Sequence, residues 1–205
     1  MVFQRGGQKL EAEQKNIVIK NLSKAFGEDF VLKELSFTLF DGHTYCLMAP
    51  SGAGKTTLFR ILMGLEKPDS GTVTGLTGHR ISAVFQEDRL LEDCTARQNI
   101  RLVTGHSVSS QEIETALQRL LPKDSLCKPV REFSGGMKRR TAILRAILAP
   151  ASFLIMDEPF TGLDRETKLA AIRMIREYTK GRLLLISTHN AEDVDLLDGE
   201  QIQML

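Results

Sequence analysis

The stretch "YCLMAPSGAGKTTLFRILMG", residues 45–64, restricts the possible folds more than any other segment of the sequence. An apolar run, Tyr45 to Met48, gives way to Ala-Pro-Ser-Gly-Ala-Gly. A Lys-Thr pair follows, and apolar residues then recur at helical spacing. The pattern reads as strand, glycine-rich loop and helix. A loop of this kind aims several backbone N–H groups and a helix N-terminus at one anion. Gly52 and Gly54 stand where the chain must bend round phosphates. Lys55 is spaced to reach β- and γ-phosphates, and the Thr56 hydroxyl to ligate Mg²⁺. Pro50, Ser51, Gly52, Ala53, Gly54, Lys55, Thr56 and Thr57 together form the candidate cradle. The strict pattern has Gly at its first position, where this chain has Ala49; a methyl group is tolerable there if φ is negative. A purely structural turn competes with this reading, so a second feature must decide.

That feature is "FLIMDEP". A buried-type strand ending in acidic residues brings carboxylates to the C-terminal edge of a sheet, where ligands bind in α/β folds. Asp157 is the candidate Mg²⁺ holder and Glu158 the candidate general base for an attacking water. A third feature, "FSGGMKRR", puts a hydroxyl and two glycines at a helix start, a second anion-binding nest. One chain cannot easily fold two such nests onto one γ-phosphate. Ser134, Gly135 and Gly136 are therefore read as serving the nucleotide of a neighbouring copy.

Around these motifs, "NIVIKNLSKAF" and "VLKELSFTLF" read as strands, with Leu35, Phe37 and Leu39 alternating as one buried face. A turn at "KPDSG" leads into one strand ending near "AVFQ". The middle third reads as helical. "SSQEIETALQRLL" offers Ser109 and Glu112 as a capping box, with Ile113, Ala116, Leu117 and Leu120 on one face. After "SGG" a helix carries Ile143, Leu144, Ile147 and Leu148 inward; another runs from about Asp164 to Tyr178, and "RLLLIS" is a further strand. Unbroken apolar strands alternating with helices imply a parallel α/β core, with an antiparallel β part at its N-terminal side and an inserted α-helical subdomain at about 90–148. Residues 1–15 read as a polar, flexible leader of native or vector origin, and 16–205 as one domain.

With 205 residues and a net charge of +1, nothing marks the chain as an avid binder of nucleic acid or of a charged membrane surface. No window approaches the roughly 18 apolar residues of a membrane span. Three cysteines, Cys46, Cys94 and Cys127, share no metal-like spacing and read as reduced thiols of a cytoplasmic protein.

In order and kind the motifs resemble those of the ATP-binding cassette (ABC) ATPases, over nearly all of the chain beyond the leader. "APSGAGKTT" is similar to the Walker A loop, "FLIMDEP" to the Walker B strand and "FSGGMKRR" to the family signature. Gln86 in "VFQED" looks like the Q-loop glutamine, Asp164 in "TGLD" the D-loop aspartate, and His189 in "STHN" the switch histidine. Phe26 occupies the place of the adenine-stacking aromatic. The departures are Ala49 and Met137, where the signature usually has Gln. The sequence given ends soon after His189, so no extra regulatory domain is expected.

The resemblance implies a P-loop NTPase fold, ATP and Mg²⁺ as ligands, and a head-to-tail dimer with two nucleotides between opposing faces. Lys55, Gln86, Glu158 and His189 are the implied catalytic group, and Thr56, Gln86 and Asp157 the implied metal set. Ser134, Gly135 and Gly136 are implied to reach the nucleotide across the dimer, and Asp164 is a further implied nucleotide-binding residue. It further implies a peripheral subunit on the cytoplasmic face, driving transmembrane permease subunits, with or without a solute-binding protein. "FQEDRLLEDCTARQNI" is similar to the corresponding segment of nitrate, sulfonate and taurine importer ATPases, so import is expected, although "EDC" replaces the familiar tryptophan-containing piece. A soluble ABC ATPase of DNA or ribosomes is the competing class, and a lipid or lipoprotein exporter a third. Only about fifty residues separate Gln86 from Ser134, without heptads or cysteine clusters, and this disfavours the soluble class.

Overall fold

A computed structural model describes residues 16–50 and 52–204; the leader and Ser51 lie outside the described residues. Two sheets form the frame. The first is antiparallel, in the order β2-β1-β4, from β1 (Ile17–Phe26), β2 (Asp29–Leu39) and β4 (Ser70–Thr74). The second is wholly parallel, in the order β5-β6-β7-β3-β8. Its strands are β3 (Thr44–Met48), β5 (Ile81–Val84), β6 (Phe153–Asp157), β7 (Leu183–Ser187) and β8 (Glu200–Gln203).

The unbroken apolar runs of β6 and β7 have a simple physical cause. Side chains alternate between the faces of a strand, and both faces are covered. Phe153, Ile155, Leu183 and Leu185 enter a core shared with α1 (Lys55–Leu62) and the antiparallel sheet. Leu154, Met156, Leu184 and Ile186 enter a second core shared with α2 (Ala96–Thr104), α3 (Ser110–Leu120), α4 (Gly135–Leu148) and α5 (Arg165–Tyr178). Each fully buried aliphatic side chain contributes about 1.5–3 kcal/mol. Cys46 lies in the second core, and burial pushes its thiol up to about 12, so it is an inert packing residue.

The helix faces lie as the periodicity predicts. Ile113, Ala116, Leu117 and Leu120 are buried on α3, and Ile143, Leu144, Ile147 and Leu148 on α4. Leu39 is buried while Leu35 and Phe37 are half-covered against the same core. The alternation slips between Leu32 and Leu35, because Glu34 adopts a positive φ of 46° and breaks the register with β1.

Two details differ from expectation. Ser109 Oγ accepts the Glu112 N–H at 3.1 Å, but among the described residues the reciprocal capping box belongs to the preceding helix. There Thr95 Oγ1 accepts from Gln98 N while Gln98 Oε1 accepts from Thr95 N at 2.8 Å. The single strand expected up to "AVFQ" is two strands in different sheets. Gly75, at φ 88° with Asn16 O only 2.0 Å from where a Cβ would sit, turns the chain from β4 towards β5. A short helix α6 (Ala191–Leu197) precedes β8.

Candidate functional site

The adjacent strands β6, β7 and β3 end at one edge of the parallel sheet, and the site is built on those ends. β3 delivers the glycine loop. Gly54 sits at φ 84°, and a Cβ there would lie 2.5 Å from Val31 O and 2.7 Å from Leu32 Cδ2, so no other residue fits. Gly54 offers no side-chain cap to α1, which leaves the first N–H groups of that helix free for an anion. Ala49 is not among the positive-φ residues, so its methyl group is accommodated. Pro50 is exposed, and its carbonyl accepts the turn-closing N–H of Ala53 at 3.3 Å.

Lys55 is 5% exposed, and its ammonium donates to Ala49 O at 2.7 Å and Pro50 O at 3.0 Å. It stands 4.0 Å from Glu158 Oε1. Thr56 Oγ1 donates to Asp157 Oδ2 at 2.6 Å, across 101 residues of sequence. His189 Nε2 lies 2.6 Å from Glu158 Oε1. A cleft of about 170 Å³ gathers Gly52, Gly54, Lys55, Thr56, Thr57, Gln86 and Glu158, with Val31 as its apolar wall. The backbone of Glu158 is left-handed, φ 47°, immediately before Pro159. Non-glycine residues hold that conformation only when their surroundings impose it, and such strain gathers at working sites.

Ser187 supplies the constraint; it opens the "STHN" stretch, where only His189 carries an expected role. Paired with Asp157 across β6 and β7, it donates from Oγ to Asp157 Oδ1 at 2.6 Å and accepts the Glu158 N–H at 2.8 Å. Next to it, Thr188 Oγ1 donates to buried Asp193 Oδ2 at 2.6 Å, and Asp193 also pairs with Lys168. These bonds fix the base of the loop that carries His189. The available signal was a polar residue closing the buried run "RLLLIS", which becomes informative only once β6 and β7 are known to be neighbours.

The remaining candidate residues lie elsewhere. Phe26 is 51% exposed at the end of β1, with Lys24 Nζ 5.2 Å above its ring, and does not line the cleft. Ser134 caps α4 by accepting the Met137 N–H at 3.3 Å; Gly135 and Gly136 follow it, outside the cleft, with Gly136 near Gly162 and Leu163. Asp164 caps α5, where the Thr167 N–H and hydroxyl hold its carboxyl below the usual carboxylate range. Ser51 falls outside the described residues.

Mg²⁺ fits the donor set. Thr56 and Asp157 present adjacent hard oxygens beside Gln86, and no group of three or more His, Cys, Asp or Glu forms a cage among the described residues. An ion that keeps waters and binds phosphate oxygens needs no more protein ligands than these.

Residues 32–161 match the family model described as "ABC transporter". The chain belongs to the ABC transporter family. ATP-binding members of this family are ATPases, and the fold is that of their cassettes. The chain is 36% identical over 198 residues to the Nod factor export ATP-binding protein I of Sinorhizobium fredii, covering 88% of this chain and 57% of that protein. It is 36% identical over 199 residues to the protein of the same name from Burkholderia lata, covering 88% and 65%. The chain thus spans about six-tenths of the length of these relatives. It superposes on a dimeric bacterial ABC transporter cassette with TM-score 0.79 and 26% identity, covering 92% of this chain and 94% of that one. It shares the fold of a bacterial ABC exporter solved with ATP bound, with TM-score 0.80 and 21% identity, over 96% of this chain and 38% of that one.

Proposed function

We propose that this chain is the ATP-hydrolysing subunit of an exporter, docked on the cytoplasmic face of separate membrane-spanning subunits. The convergence of Lys55, Thr56, Asp157, Glu158 and His189 at one sheet edge carries the catalytic part of the reading. Lys55 and the N-terminus of α1 bind the phosphates. Thr56, Asp157 and Gln86 hold Mg²⁺, which neutralises phosphate charge when bound. Glu158 accepts a proton from the attacking water, and His189, sharing that carboxylate, orients the pair. Phe26 stacks on the base. Ser134 to Gly136 and Asp164 face the nucleotide of a second copy in a head-to-tail dimer, because they lie outside their own chain's cleft.

Export is favoured over the import expected from residues 85–100, because the named relatives are export proteins. Among the described residues no helix is long and apolar enough to cross a membrane, in keeping with separate membrane subunits.

Affinity capture from native membranes, using the Glu158→Gln chain loaded with ATP, tests the whole reading. Recovery of a multi-span subunit without a solute-binding protein is expected. A co-purifying solute-binding protein would restore import, and ribosomes or DNA in its place would defeat the transport assignment.

A further inference from the structure

Gln86 is exposed at the rim of the cleft, and its side-chain amide makes no hydrogen bond among the described residues. Its main chain, by contrast, is tightly gripped. Arg139, on α4 and 8% exposed, donates from Nη1 to Phe85 O at 2.6 Å and from Nη2 to Gln86 O. The same guanidinium places Nε 3.2 Å from Asp88 Oδ1. Arg145, further along α4, donates to Arg89 O at 2.7 Å and Asp88 O at 3.0 Å. Arg89 turns back at φ 46° and stacks its guanidinium 3.9 Å over the Phe85 ring. The segment 85–89 is thus a closed loop with its carbonyls held by one helix.

A planar guanidinium that donates to two carbonyls at once, beside a carboxylate, fixes direction as well as distance, which a single ammonium cannot do. The held carbonyl belongs to the residue whose side chain lines the cleft. Side-chain aim follows backbone orientation, and an error of about 1 Å at a reacting centre costs up to ~10²-fold in rate. We infer that Arg139 is a positioning residue: from α4 it sets the orientation of the 85–89 loop and so the aim of Gln86 into the cleft. The inference rests on that cleft being the ATP site.

The test is a double-mutant cycle on MgATP turnover, run on the chain together with any membrane subunits that the capture recovers. Arg139→Gln is expected to lower kcat about tenfold while KM for ATP changes less than about threefold. In a Gln86→Ala background the same substitution is expected to change kcat by less than about twofold, because the group it aims is gone. A tenfold loss that persists in that background would overturn the inference, since Arg139 would then act on the fold at large. Should Arg139→Gln fail to fold, Asp88→Asn loosens the same guanidinium, and its loss of kcat must likewise vanish without Gln86. Failure of the ATP-site reading shows separately, as a nucleotide affinity unchanged by Lys55→Ala.

Discussion

The two ends of the parallel sheet carry clefts that differ in a telling way. The cleft at the N-terminal ends of the strands is the larger, about 590 Å³, lined by Gly42, His43, Arg176, Glu177, Asp198 and Glu200 among others. Two smaller ones lie at the C-terminal ends, about 170 Å³ beside Lys55 and about 240 Å³ beside His189, and Glu158 lines both. Yet the charges of the larger cleft pair outward: His43 Nδ1 with Glu200 Oε1 at 2.7 Å, both at least half exposed, and Arg176 with Asp198 at 3.7 Å. At the C-terminal ends a nearly buried lysine, a threonine, two carboxylates and a histidine point at one another. Convergence of polar and charged groups around a nearly buried lysine and aspartate, more than volume, sets that end apart, because electrostatic interactions strengthen as water is excluded.

The largest expected effect of breaking this contrast comes from Glu158→Gln. It should retain ATP binding and lower turnover by about 10²–10⁴-fold, as loss of a general base does, and a steady-state phosphate assay reads it. Next, Lys55→Ala should weaken ATP binding by about 10²-fold, since a charge-assisted contact to phosphate contributes up to about 3 kcal/mol. Titration calorimetry decides; unchanged affinity would remove the loop from the site. Ser187→Ala deletes two buried hydrogen bonds and should cost about 1–3 kcal/mol in a denaturant melt, with a fall in kcat as Glu158 loses its anchor.

At the other end, His43→Ala should leave ATP binding and turnover unchanged and cost less than about 1 kcal/mol, as exposed ion pairs do. A loss of turnover there would erase the distinction between the clefts. The smallest effect concerns acid. Arg119 holds the Glu177 carboxyl below its usual range through a paired contact at 2.7 and 3.0 Å, tying α3 to α5. A lowered folded-state value means that this tie is fully present above the ordinary glutamate range and is lost as pH falls through the lowered value. Thermal melts between pH 5 and 3 should show a slightly shallower loss for Arg119→Ala than for the parent.

The glycine loop was legible in sequence because all its parts are contiguous: Gly54, Lys55 and Thr56 act through their own backbone and first helical turn. The same holds for the helix faces of α3 and α4, where one period decides burial. Legibility fell away where partners are distant in sequence. The Thr56–Asp157 contact, the Ser187 clamp on Glu158 and the Arg139 grip on the 85–89 loop each depend on which strand or helix lies next to which. The split of residues 70–84 into strands of two different sheets escaped for the same reason, since hydrogen-bonding partners leave no trace in local periodicity.

By itself the sequence determined a glycine-rich turn at a helix start, a carboxylate-ended buried strand and an alternating α/β plan, since each follows from residues within one or two turns of backbone. Only the tertiary structure decided that the lysine, the carboxylates and the histidine meet at one sheet edge, and that Ser187 and Arg139 hold the backbone of Glu158 and of Gln86. Strand order and register are cooperative outcomes of packing both faces of a sheet. They fix distances between residues a hundred positions apart, which no local pattern encodes.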